Sequence, residues 1–221
     1  MSQHLDLFRA PQVLVACEFS GTVRDAFLRR GYDAWSCDLR PDERGSNRHI
    51  RGDVRDILND GWDLLVVAHP PCTRLCNSGV RWLTAPPPGR TREAMWAELD
   101  EAAALFSHLW NVQNIPHVAV ENPIMHRHAK QRVRGYAEPA QFIQPWQFGH
   151  GETKRTGLWL RNLPPLTPTK IVNGRAARVH RHSGWGRHGE IRAAERSRFY
   201  RGIADAMADQ WGPVIQARMA A

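Results

Sequence analysis

Cysteine is scarce: the chain has four in 221 residues, at positions 17, 37, 72 and 76. That is too few, and too unevenly placed, for a disulfide framework, so all four are expected to be reduced thiols. No second cysteine pair follows Cys72 and Cys76 at zinc spacing. The pairs His126/His128 and His180/His182 stand alone, so no metal site is expected. No apolar run approaches the roughly 20 residues that a bilayer-spanning helix needs. Met1 to Pro11 carries Asp6 and lacks an apolar h-region, so it does not read as a signal peptide, and a cytoplasmic, membrane-free protein is expected. Acidic residues are also in deficit, 22 against 30 lysines and arginines, which leaves a formal net charge of +8. An arginine-dominated excess of this size suits contact with a polyanion, although charge alone does not choose the nucleic acid or the chemistry.

A core, by contrast, is well supplied: 42% of the residues are hydrophobic, and nine are tryptophan. The length suits one domain, 1–221, rather than two large ones. Val13 to Cys17, Tyr32 to Cys37, Asp63 to Ala68 and His117 to Val120 are short, nearly continuous apolar runs. Helical patterns alternate with them at Thr22 to Arg30 and Thr91 to Val112, with a shorter one ending at Asn59. This predicts an α/β fold with a mostly parallel, doubly wound sheet, covered on both faces. Ligands of such sheets sit beyond the carboxyl ends of the strands. The rule selects Glu18 to Gly21, Asp38, Pro70 to Cys72 and Glu121 to Pro123. After Tyr136 the pattern predicts strands at Gln141 to Trp146 and Gly157 to Leu160. A Pro/Arg-rich segment at 164–192 follows, and then a final helix, 193–212.

Two strand ends carry groups that can act together. His69-Pro70-Pro71-Cys72 puts a thiol on a stiff turn, because each proline fixes φ and neither can donate a hydrogen bond. Val118 to Asn122 ends another core strand on the carboxyl group of Glu121. A thiolate and a carboxyl group side by side can activate a pyrimidine: sulfur adds to carbon 6 while the carboxyl holds ring nitrogen 3 and the exocyclic amine. Each signal alone has a plainer reading, a buried loop thiol or a helix-capping acid.

Taken in order, these residues resemble the motifs of the DNA cytosine-5 methyltransferase family. Pro70-Pro71-Cys72 and Glu121-Asn122 are similar to its two central catalytic motifs. Glu18-Phe19-Ser20-Gly21, running into Thr22, resembles the turn that cradles the methionine part of S-adenosyl-L-methionine. Asp38, with Leu39, stands where the family binds the ribose, and Gly52-Asp53-Val54 where it contacts adenine. Glu152 to Leu160 resembles the eighth motif, and the segment from Tyr200 to Ala204 the last one, which returns to the cofactor pocket. The resemblance implies a Rossmann-like class I methyltransferase fold. It also implies Cys72 and Glu121 as catalytic residues, with Lys154 or Arg155 near the base, and Pro70 and Tyr200 beside the cofactor.

The departures are specific. Val23 and Arg24 replace glycines of the first motif, and Lys154 and Thr156 replace both arginines of the eighth. The large target-recognition domain is reduced to the segment 164–192. Arg175, Arg178, Arg181, Trp185 and Arg187 are expected there to supply phosphate contacts and one stacking platform. So small a scaffold implies a relaxed sequence context around a flipped cytosine, in duplex or single-stranded DNA. The alternatives are a silent cofactor- and DNA-binding module, action on RNA or free cytosine nucleotides, and transfer of a heavier group from a modified sulfonium. Cys76 is expected to be structural.

Overall fold

The computed structural model describes residues 9–177 and 199–219. Seven strands form one sheet: β1 Gln12–Ala16, β2 Asp33–Asp38, β3 His49–Arg51, β4 Leu64–Val67, β5 His117–Pro123, β6 Gln141–Ile143 and β7 Thr156–Arg161, in the order β3-β2-β1-β4-β5-β7-β6. The first five are mutually parallel. β7 runs antiparallel to both β5 and β6, so the sheet is mixed. Among the described residues four α-helices accompany it: α1 Thr22–Leu28, α2 Arg92–Trp110, α3 Arg127–Arg132 and α4 Arg201–Met219.

Alternation along the buried strands explains why both faces are covered. Leu14, Ala16, Leu65, Val67, Val118 and Val120 point into one cluster, shared with Met95, Leu99 and Phe106 of α2. Val13, Val15, Leu64, Val66 and Ala119 point into the other, shared with Val23 and Phe27 of α1 and Met207 and Trp211 of α4. A continuous apolar strand is the sequence form of this two-faced burial. Burying a side chain such as Leu14 or Leu65 is worth about 1.5–3 kcal/mol, so the central strands anchor the edges.

Several boundaries move from the sequence expectation. Glu121, Asn122 and Pro123 lie within β5, where they pair with Leu158, Gly157 and Thr156, instead of just beyond it. The strand expected at 141–146 stops at Ile143, because Pro145 begins a 3-10 turn, Pro145–Gln147. β3 and α3 lie in polar stretches without clear periodicity. α4 starts at Arg201 and continues through Pro213 to Met219. Proline inside a helix costs about 3 kcal/mol. Trp211 and Ile215 are fully buried on either side of it, so packing outweighs that cost. Arg30 ties α4 to α1 through Asp209 at 2.5 Å and Asp205 at 3.2 Å. Among the described residues no helix is long and apolar enough to cross a membrane.

Candidate active site

The strand order reverses between β1 and β4, and chemistry-bearing residues gather at the carboxyl edge beside that point. The chain leaves β1 through Cys17, whose φ of 56° is left-handed without being glycine. Backbone held this way costs about 1–3 kcal/mol and is found where surrounding structure fixes a turn. Here the turn delivers Glu18 inward. Its fully buried carboxyl group accepts the backbone N–H groups of Val23 at 2.7 Å and Arg24 at 3.1 Å, so it caps α1. Burial pushes this acid up to about 7. Gly21 precedes α1 at φ 67°, and a Cβ there would overlap the Arg24 guanidinium. Arg24 is itself buried and held by Asp42 at 2.6 Å and Ser36 at 2.8 Å. The arginine that replaces a family glycine thus fills the space under the turn.

A cleft of about 860 Å³ opens beside this turn. Asp38, Leu39, Asp53 and Val54 line it, as the motifs imply, together with Cys17 and Gly52. Asp38 is pushed up by burial, and its carboxylate accepts the Arg40 N–H at 2.9 Å. Asp53 is paired with Arg55, which holds it down at about 2. Leu39 is 71% exposed, a large apolar side chain at the mouth. Glu98, Glu101, Ala102 and Leu105 of α2 form the far wall. Their spacing of i, i+3, i+4, i+7 marks one helix face, and that periodicity could have identified them in the sequence.

Of the other residues in the methionine-side motif, Ser20 and Thr22 line a separate shallow hollow with Glu43 and Arg44. Phe19 is buried, with Arg40 stacked 3.9 Å from its ring centroid. Pro70 is buried, and Pro71 and Thr73 reach the cleft.

The thiol lies in the turn after β4 and the carboxyl group within the adjacent strand β5. Cys72 is half-buried, and the Cys76 N–H, one turn on, donates to its carbonyl at 2.9 Å. The neighbouring Cys76, burial and the charge of Glu121 push the Cys72 thiol well up. Cys76 moves the other way, down to about 6, with the neighbouring Cys72 as the main cause and the Ser78 hydroxyl 3.0 Å from its sulfur. Glu121 is 5% exposed, and its desolvation raises it to about 7 against the pull of the Lys154 ammonium and a hydrogen bond with Thr156. Around Glu121, a pocket of only about 10 Å³ is lined by His69, Pro145, Lys154, Thr156, Phe199, Tyr200 and Ile203.

Glu121 and Lys154 therefore line one pocket, and Cys72 lies in the turn after the adjacent strand β4. Arg155 is not with them: it is exposed and stacks 4.1 Å from the Phe142 ring centroid. Tyr200 sits on the Glu121 side and donates its hydroxyl to Glu152 at 2.8 Å. Arg175 stacks 3.9 Å over Trp146, whereas Arg178, Arg181, Trp185 and Arg187 lie outside the described residues. Cys76 was expected to be structural and Thr156 entered only as the replacement of a motif arginine, whereas His69 carried no signal of its own for this site. His69 lines both the cleft and the pocket, and its buried Nε2 has no hydrogen-bond partner among the described residues. Among those residues no cluster of three His, Cys, Asp or Glu side chains is arranged to hold a metal ion.

No protein-family model matches the chain, and no curated protein matches it. Among solved structures, it is similar to a candidate DNA modification methyltransferase encoded within an E. coli prophage, with a TM-score of 0.44 and 15% sequence identity. The likeness covers 74% of this chain and 52% of the other, so the chain spans about half the length of that neighbour.

Proposed function

We propose that the chain is a Rossmann-like, S-adenosyl-L-methionine-dependent DNA methyltransferase that acts at carbon 5 of cytosine through Cys72. The observation that carries this reading is the placement of two groups on neighbouring strand ends. β4 and β5 pair in parallel, and the turn that carries Cys72 after β4 is tied to the stretch after Glu121 by the Cys76–Met125 bridge and by the Asn77 N–H to the Ile124 carbonyl at 3.1 Å. Neither group is needed merely to grip DNA. The net charge of +8 and the Arg175–Trp146 stack favour a nucleic-acid substrate over a free nucleotide.

The cleft fits the cofactor at its nucleoside end. Asp38 and Asp53 offer carboxylates to hydroxyls and an amine, and Leu39, Val54 and Leu105 offer apolar cover. His69, whose buried Nε2 has no hydrogen-bond partner among the described residues, lines the same opening. When bound, that cofactor supplies an electrophilic methyl group.

The chain's own residues do the rest. Cys72, as thiolate, forms a bond to carbon 6, and the carbon 5–carbon 6 electron pair moves into the ring. Glu121, protonated below about 7, donates to ring nitrogen 3 and accepts from the exocyclic amine. Carbon 5 then takes the methyl group. Loss of its proton to a base re-forms the double bond and expels the Cys72 sulfur. Lys154 draws both Cys72 and Glu121 toward their anions and so tempers the cost of burying them.

Incubation with tritiated cofactor and a panel of duplex DNA, single-stranded DNA, RNA and dCMP tests this. Label should appear in DNA, and Cys72→Ala should abolish it while cofactor binding survives. DNA carrying 5-fluorocytosine should trap a covalent adduct, because fluorine cannot leave as a proton does. Robust transfer by Cys72→Ala would remove the mechanism.

A further inference from the structure

We propose that His69 sets a preference for an amine-bearing pyrimidine: its Nε2 accepts the hydrogen of the exocyclic amine that Glu121 leaves free. This role rests on the cytosine-5 reading above and adds to it a second contact by which the ring is chosen.

The position of His69 is particular. Among the described residues it alone borders both the open cleft of about 860 Å³ and the small pocket around Glu121. It lies two residues beyond β4, where the Ala68 N–H still donates to the Ala16 carbonyl at 3.0 Å, and Pro70 follows it. A sheet bond before the imidazole and a fixed proline φ after it hold the backbone that aims the ring. The ring packs against Phe199, with centroids 5.4 Å apart. Its Nε2 is buried and has no hydrogen-bond partner among the described residues. Most buried polar atoms are paired, so an exception at the border of two recesses singles out a group that a ligand would satisfy.

The chemistry of the base says which ligand atom fits. Cytosine carries its amine on carbon 4, between ring nitrogen 3 and carbon 5. A carboxyl group that spans nitrogen 3 and the amine takes the amine hydrogen on the nitrogen 3 side. The other hydrogen lies on the carbon 5 side. Its acceptor has to stand beside Glu121 and also next to the recess from which carbon 5 receives its methyl group. His69 meets both conditions. Lys154, the cation in the same pocket, has no lone pair to offer as an ammonium.

Burial, and then the Lys154 ammonium, disfavour an imidazolium at His69, so the ring is neutral and keeps one lone pair. With the ring proton on Nδ1, that pair sits on Nε2 and accepts from an amine. Uracil and thymine present a carbonyl oxygen at the same place. Two acceptors then face each other unless the imidazole changes tautomer. Phe199 packs on the imidazole, so a base that moves Phe199 aside uncovers the group that reads it.

The test uses full-length wild type, His69→Phe and His69→Gln with S-adenosyl-L-methionine and DNA of mixed sequence. The DNA carries either 5-fluorocytosine or 5-fluoropyrimidin-2-one, which lacks the amine, and covalent adduct formation is timed on denaturing gels. Comparing each ring across the proteins cancels its intrinsic reactivity. His69→Phe keeps a ring against Phe199 but removes the acceptor. It should slow the adduct with 5-fluorocytosine by roughly 5- to 150-fold and that with the pyrimidinone by less than about 2-fold. The retained pyrimidinone rate shows that the variant is folded and binds its cofactor. His69→Gln, whose amide oxygen accepts, should restore most of the cytosine rate. Equal slowing on both rings, or no slowing on either, overturns the role of His69 and leaves the cytosine-5 reading standing. A wild type that forms an adduct with neither ring overturns that reading, and this role with it.

Discussion

The two recesses at the sheet's carboxyl edge differ in almost every physical respect. The one built from the ends of β1 and β2 and a face of α2 is open, about 860 Å³, and bordered by carboxylates near the surface. The one around Glu121 has about 10 Å³, scarcely room for a single water. Two groups that line it, Glu121 and His69, are displaced by burial from their ordinary ranges, Glu121 upward and His69 downward. An open, preformed recess suits a small molecule bound before any chemistry. A closed recess with perturbed acids suits the chemistry itself and has to open for its substrate. A pyrimidine entering beside Glu121 must displace Phe199, Tyr200 or Pro145. The bonds that hold this wall are Tyr200 to Glu152 at 2.8 Å and the Gly202 N–H to His150 at 2.9 Å.

If the division is real, substitutions on one side should leave the other side's kinetic constants alone. The largest effect after loss of Cys72 itself is expected from Glu121→Gln. The amide keeps the hydrogen-bond pattern toward cytosine but cannot pass a proton, so kcat should fall by about 10²–10⁴-fold with little change in KM for the cofactor. The pH profile is the sharper check. In the wild type Glu121 is protonated below about 7 and becomes a carboxylate above it, so kcat/KM should decline as pH rises through that value. Glu121→Gln should lose that alkaline limb. Retention of that limb would assign it to another group.

On the cleft side, Asp38→Ala is expected to act on cofactor affinity. Loss of a hydrogen bond to a charged carboxylate is worth about 1.5–3 kcal/mol, so KM for S-adenosyl-L-methionine should rise by roughly 10- to 150-fold. KM for DNA and the position of the alkaline limb should not move. Isothermal titration of the cofactor into Asp38→Ala and Glu121→Gln would show whether the two recesses are separable.

The division also governs how much could be read from the chain. Val13 to Ala16, Leu64 to Val67 and Val118 to Val120 announce a two-faced parallel core because each is an unbroken apolar run. The acids at their ends follow from the same topology. Cys72 and Glu121 stood out in the sequence because of the two prolines and the end of an apolar run, although Glu121 lies inside β5 and not beyond it. The mixed part of the sheet was less so. β7 returns antiparallel through pairings such as Glu121 with Leu158, which no local pattern encodes. Glu18 illustrates the limit of motif reading. A carboxyl group after β1 suggests a ligand contact, yet the buried N–H groups of Val23 and Arg24 claim it. Leaving those amides unpaired would cost about 1–3 kcal/mol.

The smallest effect is expected farthest from both recesses, at Arg175. Its guanidinium lies 3.9 Å over the Trp146 ring, and the segment that carries it runs alongside residues 146–153, on the Glu121 side of the molecule. A cation placed there meets phosphate rather than a base, so Arg175→Ala should weaken DNA binding without altering kcat or cofactor KM. Each phosphate contact contributes about 0.7–0.9 to the slope of log affinity against log salt, and the substitution should reduce that slope by one such step. Trp146→Ala should do more on single strands than on duplex, because an aromatic ring rewards an unstacked base. A slope unchanged by Arg175→Ala would put the phosphate track elsewhere. The comparison of open and closed recesses would survive that result, but the side from which DNA approaches Glu121 would have to be redrawn.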